Sequence, residues 1–265
     1  MELGRQELNF SFPELGREIW HFPLLERAMS IAIKLLEIFP STANGRIIWA
    51  DKLSQAKGRW NRRWWAEKGG LWIAISLFDE FLPENTGLFS LIFGLALKRC
   101  MEEFNLKEVK IKWINDLHYQ EKKLAGVLIE RYKDWYIVGI GVNVNNPFPE
   151  FLKAINLKTL LNQEVKVEKV LYFFIKWLSF YLGFLRFYER KFLEENPVEN
   201  LIVKDFKQFS DTLGKWVRYG FDLEKRPLES IVGKVLDIGD RGELILKTEE
   251  EIHKILSGEI SYLEE

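Results

Sequence analysis

The stretch that decides the fold is KKLAGVLIERYKDWYIVGIGVNVN, residues 122–145. Its first part, 122–131, and its last part, 135–145, are rich in apolar and β-branched residues, so each predicts a strand. Lys133-Asp134 lies between them and predicts a tight turn. Two strands joined by so short a turn must be antiparallel neighbours in one sheet.

More strands and helices are predicted on both sides of this hairpin. VKIKWI alternates apolar and basic side chains, as a half-buried strand does. The predicted strands are 46–51, 71–78 and 109–114, and the predicted helices are 24–38, 87–104 and 168–194. Helices interleaved with a mixed, largely antiparallel sheet predict an α+β fold.

The pattern of residues in the sequence changes near residue 212. From there on, short apolar segments are separated by Gly and Asp turns, which predicts a small C-terminal β-barrel. The expected domains are therefore 1–212 and 213–265. Residues 1–20 give no periodic signal and are expected to form an extension or a loose hairpin. Since about 20 residues are too few for a helix-turn-helix module, none is expected ahead of the first helix.

Composition and charge exclude several classes of protein. The 265 residues are 47% hydrophobic and 29% charged, which is typical of a globular protein. A net charge of -1 gives no global field toward nucleic acid or an anionic membrane, so we expect neither sequence-specific nucleic-acid binding nor membrane attachment. The N-terminus does not resemble a signal peptide, and no apolar run reaches the roughly 18 residues that span a bilayer. The single cysteine, Cys100, favours a reducing compartment and hence the cytoplasm.

A basic, aromatic loop is the first segment that could carry chemistry. Residues 57–65, KGRWNRRWW, alternate cations with tryptophans. Arg and Lys can neutralise phosphate or carboxylate oxygens, and a tryptophan can stack on a base. Gly58 lets the backbone approach a ligand closely. The alternative is a solvated basic loop whose tryptophans belong to the core.

Three strand segments combine polar side chains with small residues. In KWIND, residues 112–116, the Asn-Asp pair is expected to end a strand. In KLAG, 123–126, we expect Lys123 to point the same way as Ala125, with no side chain from Gly126 on the opposite face. In GIGVNVN, 139–145, the glycines leave room for a ligand against the backbone, and the two later asparagines should share a face. Each segment could instead be structural: an Asx turn, a glycine bulge or a bulged strand.

Taken in this order, the segments resemble the catalytic domain of biotin–protein ligases. The family pattern is GRGRxGRxW, then KWPND, KLxG and GIGxNVN, and the chain has counterparts at 56–64, 112–116, 123–126 and 139–145. The tail, which ends in SGEIS at 257–261, is similar to the family's small C-terminal barrel of the Src-homology-3 type. The resemblance implies an ATP-dependent biotin–[acetyl-CoA-carboxylase] ligase in a form without an N-terminal DNA-binding domain.

Such an enzyme adenylates biotin with ATP and magnesium, and passes the biotin to a lysine of a biotin carboxyl carrier protein. A homodimer is compatible with the resemblance. The resemblance implies that Lys123 bridges the biotin carboxylate and the α-phosphate, with Arg59 as the second catalytic group. The residues it implies for ligand binding are Lys57, Gly58, Arg59, Arg62, Trp64, Lys112, Asn115, Asp116, Lys123, Gly126 and Asn143.

Some of these residues receive a more specific role from the resemblance. Asp116 and Asn143 are expected to hold magnesium, because hard oxygen ligands suit that ion. Lys57 and Arg62 should help close the loop over the adenylate, and Trp64 is expected to stack on adenine.

The chain departs from the family pattern where the acid should bind. The family's Ser-Thr pair should fall near Leu25-Glu26-Arg27-Ala28, and a family glutamine corresponds to Leu53. Lys57, Asn61 and Ile114 replace an arginine, a glycine and a proline. Because of these departures, two other functions remain as alternatives. The chain could be a related lipoate or octanoate ligase, or a non-catalytic relative that binds an adenylate. A nucleic-acid-binding protein that uses the Arg/Trp loop is disfavoured by the neutral charge.

Overall fold

The computed structural model describes residues 12–263. Residues 1–11 of the predicted N-terminal extension and the last two residues of the predicted barrel lie outside the described part. Within residues 12–20, Ile19 and Trp20 already belong to a strand of the main sheet, so the expectation of an extension or a loose hairpin is wrong there.

A seven-stranded sheet forms the larger part of the molecule. Its strands are β1 (Ile19–Phe22), β2 (Ile47–Ala50), β3 (Leu71–Phe78), β4 (Lys110–Lys112), β5 (Asp116–Tyr119), β6 (Lys122–Tyr132) and β7 (Trp135–Val142). They lie in the order β1-β2-β3-β7-β6-β5-β4, and β1 pairs with β2 in parallel while the other pairs are antiparallel. The α+β fold with a mixed, largely antiparallel sheet is confirmed.

The predicted hairpin is present as β6 and β7, and it lies near the middle of this sheet. Tyr132 pairs with Trp135 beside the turn, and the register runs on to Ala125 opposite Val142. Strand β7 ends there and does not continue to residue 145. The backbone amides of Asn143 and Asn145 instead donate to Leu124 and Gly69, at 2.9 and 2.7 Å, which draws the chain out of the ladder.

Helices cover both faces of the sheet. They are α1 (Ala28–Ile38), α2 (Thr86–Glu102), α3 (Leu157–Leu161), α4 (Val167–Leu193) and α5 (Leu201–Phe209). Side chains alternate along β3, so Ala74 packs with α1 on one face while Ile73 and Ile75 join the α2 and α4 core on the other. Helix α1 begins later than predicted, because Leu25 forms a bridge with Leu53 instead of a helical turn.

Helix α4 is the one helix among the described residues that is long and apolar enough to cross a membrane by length and composition. Half of its most apolar window is buried inside the protein, and Phe174, Leu178 and Tyr181 are fully buried in the same core as α2. This packing is that of a helix in the core of a globular protein.

A second, five-stranded antiparallel sheet follows. Its strands are β8 (Trp216–Gly220), β9 (Ile231–Ile238), β10 (Leu244–Lys247), β11 (Ile252–Ile255) and β12 (Glu259–Tyr262), in the order β11-β10-β9-β8-β12. The arrangement is consistent with the expected small C-terminal barrel. Buried residues such as Val235 and Leu244 join the core cluster of the larger sheet. The boundary at residue 212 stays a prediction.

Candidate active site

A cleft of about 330 Å³ opens on the α1 face of the sheet. Its walls come from the first residues of α1, from the basic loop at 56–65 and from residues 148–154. Its floor comes from β6 and β7. Most of the predicted ligand-binding residues line this central cleft: Lys57, Gly58, Arg59, Arg62, Trp64, Asp116, Lys123, Gly126 and Asn143.

Glycines allow side chains to lie directly on the cleft floor. A Cβ on Gly141 would lie 3.1 Å from Trp64 Nε1, and a Cβ on Gly139 would lie 2.7 Å from Met29 Sδ. A Cβ on Gly126 would lie 2.9 Å from Asp116 Oδ1. Side chains of the protein itself therefore lie against these glycines, and the expectation that the glycines leave room for a ligand stays a prediction.

Lys123 and Asp116 form the charged centre of the cleft. Lys123 Nζ lies 2.5 Å from Asp116 Oδ2. Burial would raise the pKa of the Asp116 carboxyl, but the Lys123 ammonium outweighs it and holds that pKa below its ordinary value. The ion pair therefore favours the ionised carboxylate of Asp116, which holds the Lys123 ammonium at one point of the cleft.

The direction of Lys123 differs from the expectation of simple alternation. The β5–β6 register shifts at Leu117/His118, so that two steps along β6 match one step along β5. This bulge turns the Lys123 side chain to the face of Gly126, where its Nζ would lie 3.0 Å from an added Cβ. The expected common direction of Lys123 and Ala125 is therefore wrong, and Ala125 is fully buried.

A segment without any pattern in the sequence holds the backbone of Lys123. The Lys123 amide donates to Lys153 O at 2.8 Å, and its carbonyl accepts from Ile155 N at 3.1 Å. The Asn143 side chain also donates to the Lys123 carbonyl, at 3.3 Å. Residues 153–155 thus act as an extra edge that holds the lysine in place.

The asparagines of GIGVNVN do not share a face. Asn143 lines the cleft, whereas the side chain of Asn145 is bonded to the backbone of Val165, because the strand has already ended at Val142. Asn143 Oδ1 accepts from Asn146 Nδ2 at 3.1 Å. The expected shared face is wrong, and the Asn143 amide is largely used to brace the backbone.

The residues fit magnesium only in part. Within residues 12–263 there is no group of three or more His, Cys, Asp or Glu side chains that could cage a metal. Asp116 is a suitable carboxylate, although one of its oxygens is paired with Lys123. Magnesium is commonly held by one or two carboxylates together with nucleotide phosphates. The site therefore fits an ion that arrives with a nucleotide.

The basic loop is folded back on itself. Lys57 and Arg63 form an antiparallel bridge, and Gly58 N donates to Arg62 O at 2.9 Å. Trp60 and Asn61 at its tip have φ of 54° and 60°. Asparagine tolerates this left-handed conformation better than most residues, so Asn61 is a reasonable replacement for the family's glycine.

The same loop is tied to the C-terminal barrel. The Arg62 guanidinium donates to both carboxylate oxygens of Glu259, at 2.7 Å each, and to Asp222 Oδ1 at 3.0 Å. The hydrogen bonds to Glu259 raise the pKa of Arg62. Arg59 donates to the carbonyl of Gly258. We name these contacts between the loop and residues 258–259 the loop–barrel latch.

The two ends of the cleft differ in chemistry. One end is aromatic, with Trp64, Trp65 and Phe148. The Trp64 indole meets Trp72 edge-on, and its buried Nε1 has no hydrogen-bond partner among residues 12–263. The other end is mainly aliphatic and is lined by Arg27, Ala28, Met29, Leu53, Leu128 and Gly139.

Two predicted ligand-binding residues do not line the cleft. Lys112 Nζ lies 4.9 Å from the centre of the Tyr262 ring, and burial lowers the pKa of Lys112. Asn115 is buried against α2, where a Cβ on Gly94 would lie 3.0 Å from its Cα. The expectation that Asn115-Asp116 ends a strand is wrong, because Asp116 begins β5 and residues 113–115 connect it to β4.

Sequence reasoning missed several cleft residues. Arg27 lies in the segment where the chain departs from the family pattern, Met29 follows that segment, and Glu259 lies within the SGEIS segment, so each had an indirect signal. Phe148 and Lys153 belong to an irregular segment with no pattern that could have indicated the cleft.

Two family models match the chain. Residues 17–145 match the biotin/lipoate A/B protein ligase family, and residues 224–263 match the biotin protein ligase C-terminal domain. The first match contains the central cleft's lysine and its floor. The second contains most of the five-stranded sheet.

Proteins and solved structures that are similar to this chain include several ligases. The bifunctional ligase/repressor BirA of Bacillus subtilis is 27% identical, over 98% of this chain and 79% of that protein. A biotin–[acetyl-CoA-carboxylase] ligase of Mycobacterium tuberculosis is 23% identical, over 83% and 80%. The biotin protein ligase of Aquifex aeolicus in complex with biotin and ATP superimposes with a TM-score of 0.76 at 28% identity, over 94% of this chain and 100% of that chain.

Proposed function

Since the chain belongs to the biotin/lipoate A/B protein ligase family, we propose that it is a biotin–protein ligase that uses ATP. It adenylates biotin and then passes the biotin to a lysine of a carrier protein. The observation that carries the proposal is the Lys123–Asp116 pair at the centre of a cleft with one aromatic and one aliphatic end. A flat base suits the first end, and the apolar body of the acid suits the second.

In the first step, a carboxylate oxygen of biotin attacks the α-phosphorus of ATP. A new P–O bond forms, the bond from the α-phosphorus to the bridging oxygen breaks, and pyrophosphate leaves with its electron pair. Negative charge grows on the α-phosphoryl oxygens in the transition state. The Lys123 ammonium, held by Asp116 and by its clamped backbone, is positioned to stabilise that charge without reorganising.

Arg59 is the second cation proposed for this step. It lines the cleft while one of its N–H groups donates to Gly258, which leaves other donors of the guanidinium for the phosphates. Lys57 adds positive charge from the same loop. Arg62, in contrast, is engaged by Glu259 and Asp222, so its proposed role is to close the loop.

Magnesium is proposed to arrive with ATP, and Asp116 is the carboxylate that would hold it. When bound, the ion neutralises phosphate charge and so assists the departure of pyrophosphate. The Asn143 side chain keeps the backbone of Lys123 in place beside it. Lys112 pairs with Asp116 in the β4–β5 ladder but does not itself line the cleft, and its proposed contact is with the outer phosphates.

In the second step, the uncharged amine of the carrier lysine attacks the acyl carbonyl. The C–N bond forms, the bond between the acyl carbon and the phosphate oxygen breaks, and AMP leaves. The proposed acceptor is a biotin carboxyl carrier domain of acetyl-CoA carboxylase, in keeping with the name of the Mycobacterium tuberculosis relative. The loop–barrel latch shields the mixed anhydride from water until the carrier docks.

The remaining features of the proposal are those expected from the sequence. They are a cytoplasmic location, no sequence-specific DNA binding by residues 1–265, a catalytic domain at 1–212, a barrel at 213–265 and assembly as a homodimer. The buried, unpaired Cys100 supports the reducing compartment. The net charge of -1 supports the absence of DNA binding, which gel-shift titration at physiological salt would test.

A second candidate acid is favoured by one observation. The aliphatic end of the cleft has Ala28 and Leu53 where the resemblance led us to expect neutral hydrogen-bonding side chains. Lipoate or octanoate would fill such a surface with methylene groups. The site would then perform the same adenylation on a different acid.

One experiment tests the proposal. Pyrophosphate release is measured with ATP and biotin, lipoate, octanoate or no acid, and is followed by transfer to a purified carrier domain. We expect release that depends on biotin, and one biotin per carrier. Release with lipoate or octanoate alone would favour the second candidate, and no acid-dependent release would contradict adenylation.

A further inference from the structure

The aliphatic end of the cleft presents a problem for the acid that it is proposed to bind. Biotin ends in a cyclic urea, which has one carbonyl acceptor and two N–H donors. The wall there consists of Ala28, Met29, Leu53 and Leu128, with Gly139 on the floor. Burying an amide-like group against such a wall without hydrogen bonds would cost roughly 1–3 kcal/mol or more.

Arg27 brings polar atoms to this wall. It lines the central cleft and also an adjoining cavity of about 400 Å³, which Glu130 lines as well. Arg27 is the N-cap residue of α1, but a guanidinium has no acceptor and cannot cap the helix. It reaches across to β6 instead, where Nη2 lies 3.4 Å from Glu130 Oε1.

The pair retains hydrogen-bonding capacity. A guanidinium has five N–H donors, and a carboxylate accepts several hydrogen bonds. The contact of 3.4 Å is long for a charged hydrogen bond, and the two side chains are 31% and 43% exposed. Donors on Arg27 and acceptors on Glu130 are therefore available to a ligand.

The pair lies at a suitable distance from the reacting centre. Gly126, under the Lys123 ammonium, and Glu130 are four residues apart on β6, which is about 13 Å of strand. At the far end of this span Arg27 lines both the central cleft and the adjoining cavity, whereas Glu130 lines the adjoining cavity. An acid with its carboxylate at Lys123 and a polar ring at its far end would meet the Arg27–Glu130 pair.

We infer that Arg27, supported by Glu130, recognises the cyclic urea of the acid and sets the preference for biotin over a plain aliphatic acid. The guanidinium donates to the urea carbonyl, and the carboxylate accepts from a urea N–H. Arg27 is thus a specificity-determining residue for the reaction, and this inference rests on the proposed function.

The test compares three acids on the full chain: biotin, desthiobiotin, which keeps the cyclic urea, and octanoate, which lacks it. In Arg27→Met, the KM for biotin and desthiobiotin in pyrophosphate release should rise about 10- to 100-fold, because a charged hydrogen bond is lost. The kcat should change less than about threefold, and the KM for octanoate should not rise. Glu130→Leu should raise the KM for the two urea acids by a smaller factor.

The matched control is Arg131→Met, one residue further along β6, where an exposed arginine pairs with Asp79. It should leave all three KM values unchanged, and the melting temperatures of both arginine variants should be compared. If the wild type uses biotin and Arg27→Met leaves its KM unchanged, or raises all three KM values equally, the inference is wrong and the proposed function stands. If the wild type turns over no biotin, the proposed acid is wrong and the inference fails with it.

Discussion

At the scale of single residues, the site depends on where one ammonium group is held. Lys123 is placed by a bulge in β6, by the backbone of residues 153–155 and by the carboxylate of Asp116. The glycine at 126 leaves the space that the lysine side chain occupies. A charge held in this way needs no reorganisation when the transition state forms, which is the physical basis of its proposed role.

Replacing Lys123 with methionine should stop adenylate formation while leaving the fold intact. Loss of a charge used in the transition state is expected to cost about 3 kcal/mol or more, which is a rate loss of a hundredfold or larger. Pyrophosphate release measures the rate, and circular dichroism measures the fold. Lys122→Met is the matched control, because Lys122 is exposed on the same strand. Near-normal release by Lys123→Met would remove Lys123 from the mechanism.

At the scale of elements, the basic loop and strand β12 act as one unit. The loop contributes Arg59 and Arg62, and the residues at the start of β12 contribute Gly258 and Glu259. Arg62 is shared among Glu259, Asp222 and Glu224, so its charge is well compensated. The loop can therefore stay closed even when no phosphate of a ligand contacts Arg62.

Breaking the loop–barrel latch should let the adenylate escape. Glu259→Gln removes the charge that Arg62 contacts, and Arg59→Gly removes the contact with Gly258. Because Arg59 is also proposed to act in adenylation, labelling is measured relative to the pyrophosphate released. Both variants should raise this relative labelling of bystander lysines on an unrelated protein by several-fold, since loss of a charged hydrogen bond mainly speeds dissociation of the adenylate. Lys57→Arg should reduce this labelling, because a guanidinium can bind an oxyanion in bidentate fashion.

Glu224→Gln is the control for the latch. Glu224 also contacts Arg62, at 3.1 Å, but its side chain is 72% exposed, so the contact should contribute little. Unchanged bystander labelling in Glu259→Gln and Arg59→Gly, with normal carrier labelling, would show that residues 57–64 are not a lid.

A second contact between elements should make stability depend on pH. Glu189 of α4 is buried and accepts from Leu82 N and Asn85 Nδ2, each at 2.9 Å, just ahead of α2. Burial raises the pKa of the Glu189 carboxyl. The folded protein therefore binds a proton more tightly than the unfolded chain does, and stability is lost as the pH rises from about 4 through the raised pKa.

Replacing Glu189 with glutamine should remove this dependence. Glutamine stays neutral and its side-chain oxygen can still accept from Leu82 and Asn85. The urea concentration at the midpoint of unfolding is measured for both proteins from pH 4 to pH 8. The midpoint of the variant should exceed that of the wild type by an amount that grows as the pH rises and then levels off. A constant difference across this range would show that Glu189 does not titrate there.

At the scale of the whole molecule, the two sheets share one core. Buried residues of the barrel, among them Val217 and Ile260, belong to the same cluster as the α2 and α4 core. Gly87 of α2 lies so close to the β9–β10 turn that an added Cβ would be 2.3 Å from Arg241 O. The catalytic sheet and the barrel are therefore expected to unfold together in one transition.

Filling this contact should destabilise the molecule as a whole. Gly87→Val forces a side chain against Arg241 O and Gly242, and overpacking of this kind costs about 1–3 kcal/mol. Differential scanning calorimetry should show a lower melting temperature, and bystander labelling should rise because the barrel holds the latch. Ser90→Ala on the same helix is the control and should change neither. An unchanged melting temperature in Gly87→Val would contradict the close packing.

The sequence by itself determined the hairpin of β6 and β7, the long helices on both sides of it and the residue types of the site. The hairpin and the helices follow from local features, namely apolar periodicity and a two-residue turn. Most of the predicted ligand-binding residues accordingly line the central cleft. The fold class followed from the same patterns.

Only the tertiary structure decided how those residues face one another. The bulge that turns Lys123 toward Gly126 comes from pairing with β5, a strand that the sequence did not indicate. Asn145 is drawn away by Val165, and Arg62 is held by Glu259, 197 positions along the chain. Arg27 reaches Glu130 from another element. Such contacts join distant parts of the chain. The periodicity of one segment does not predict which distant residue will contact that segment.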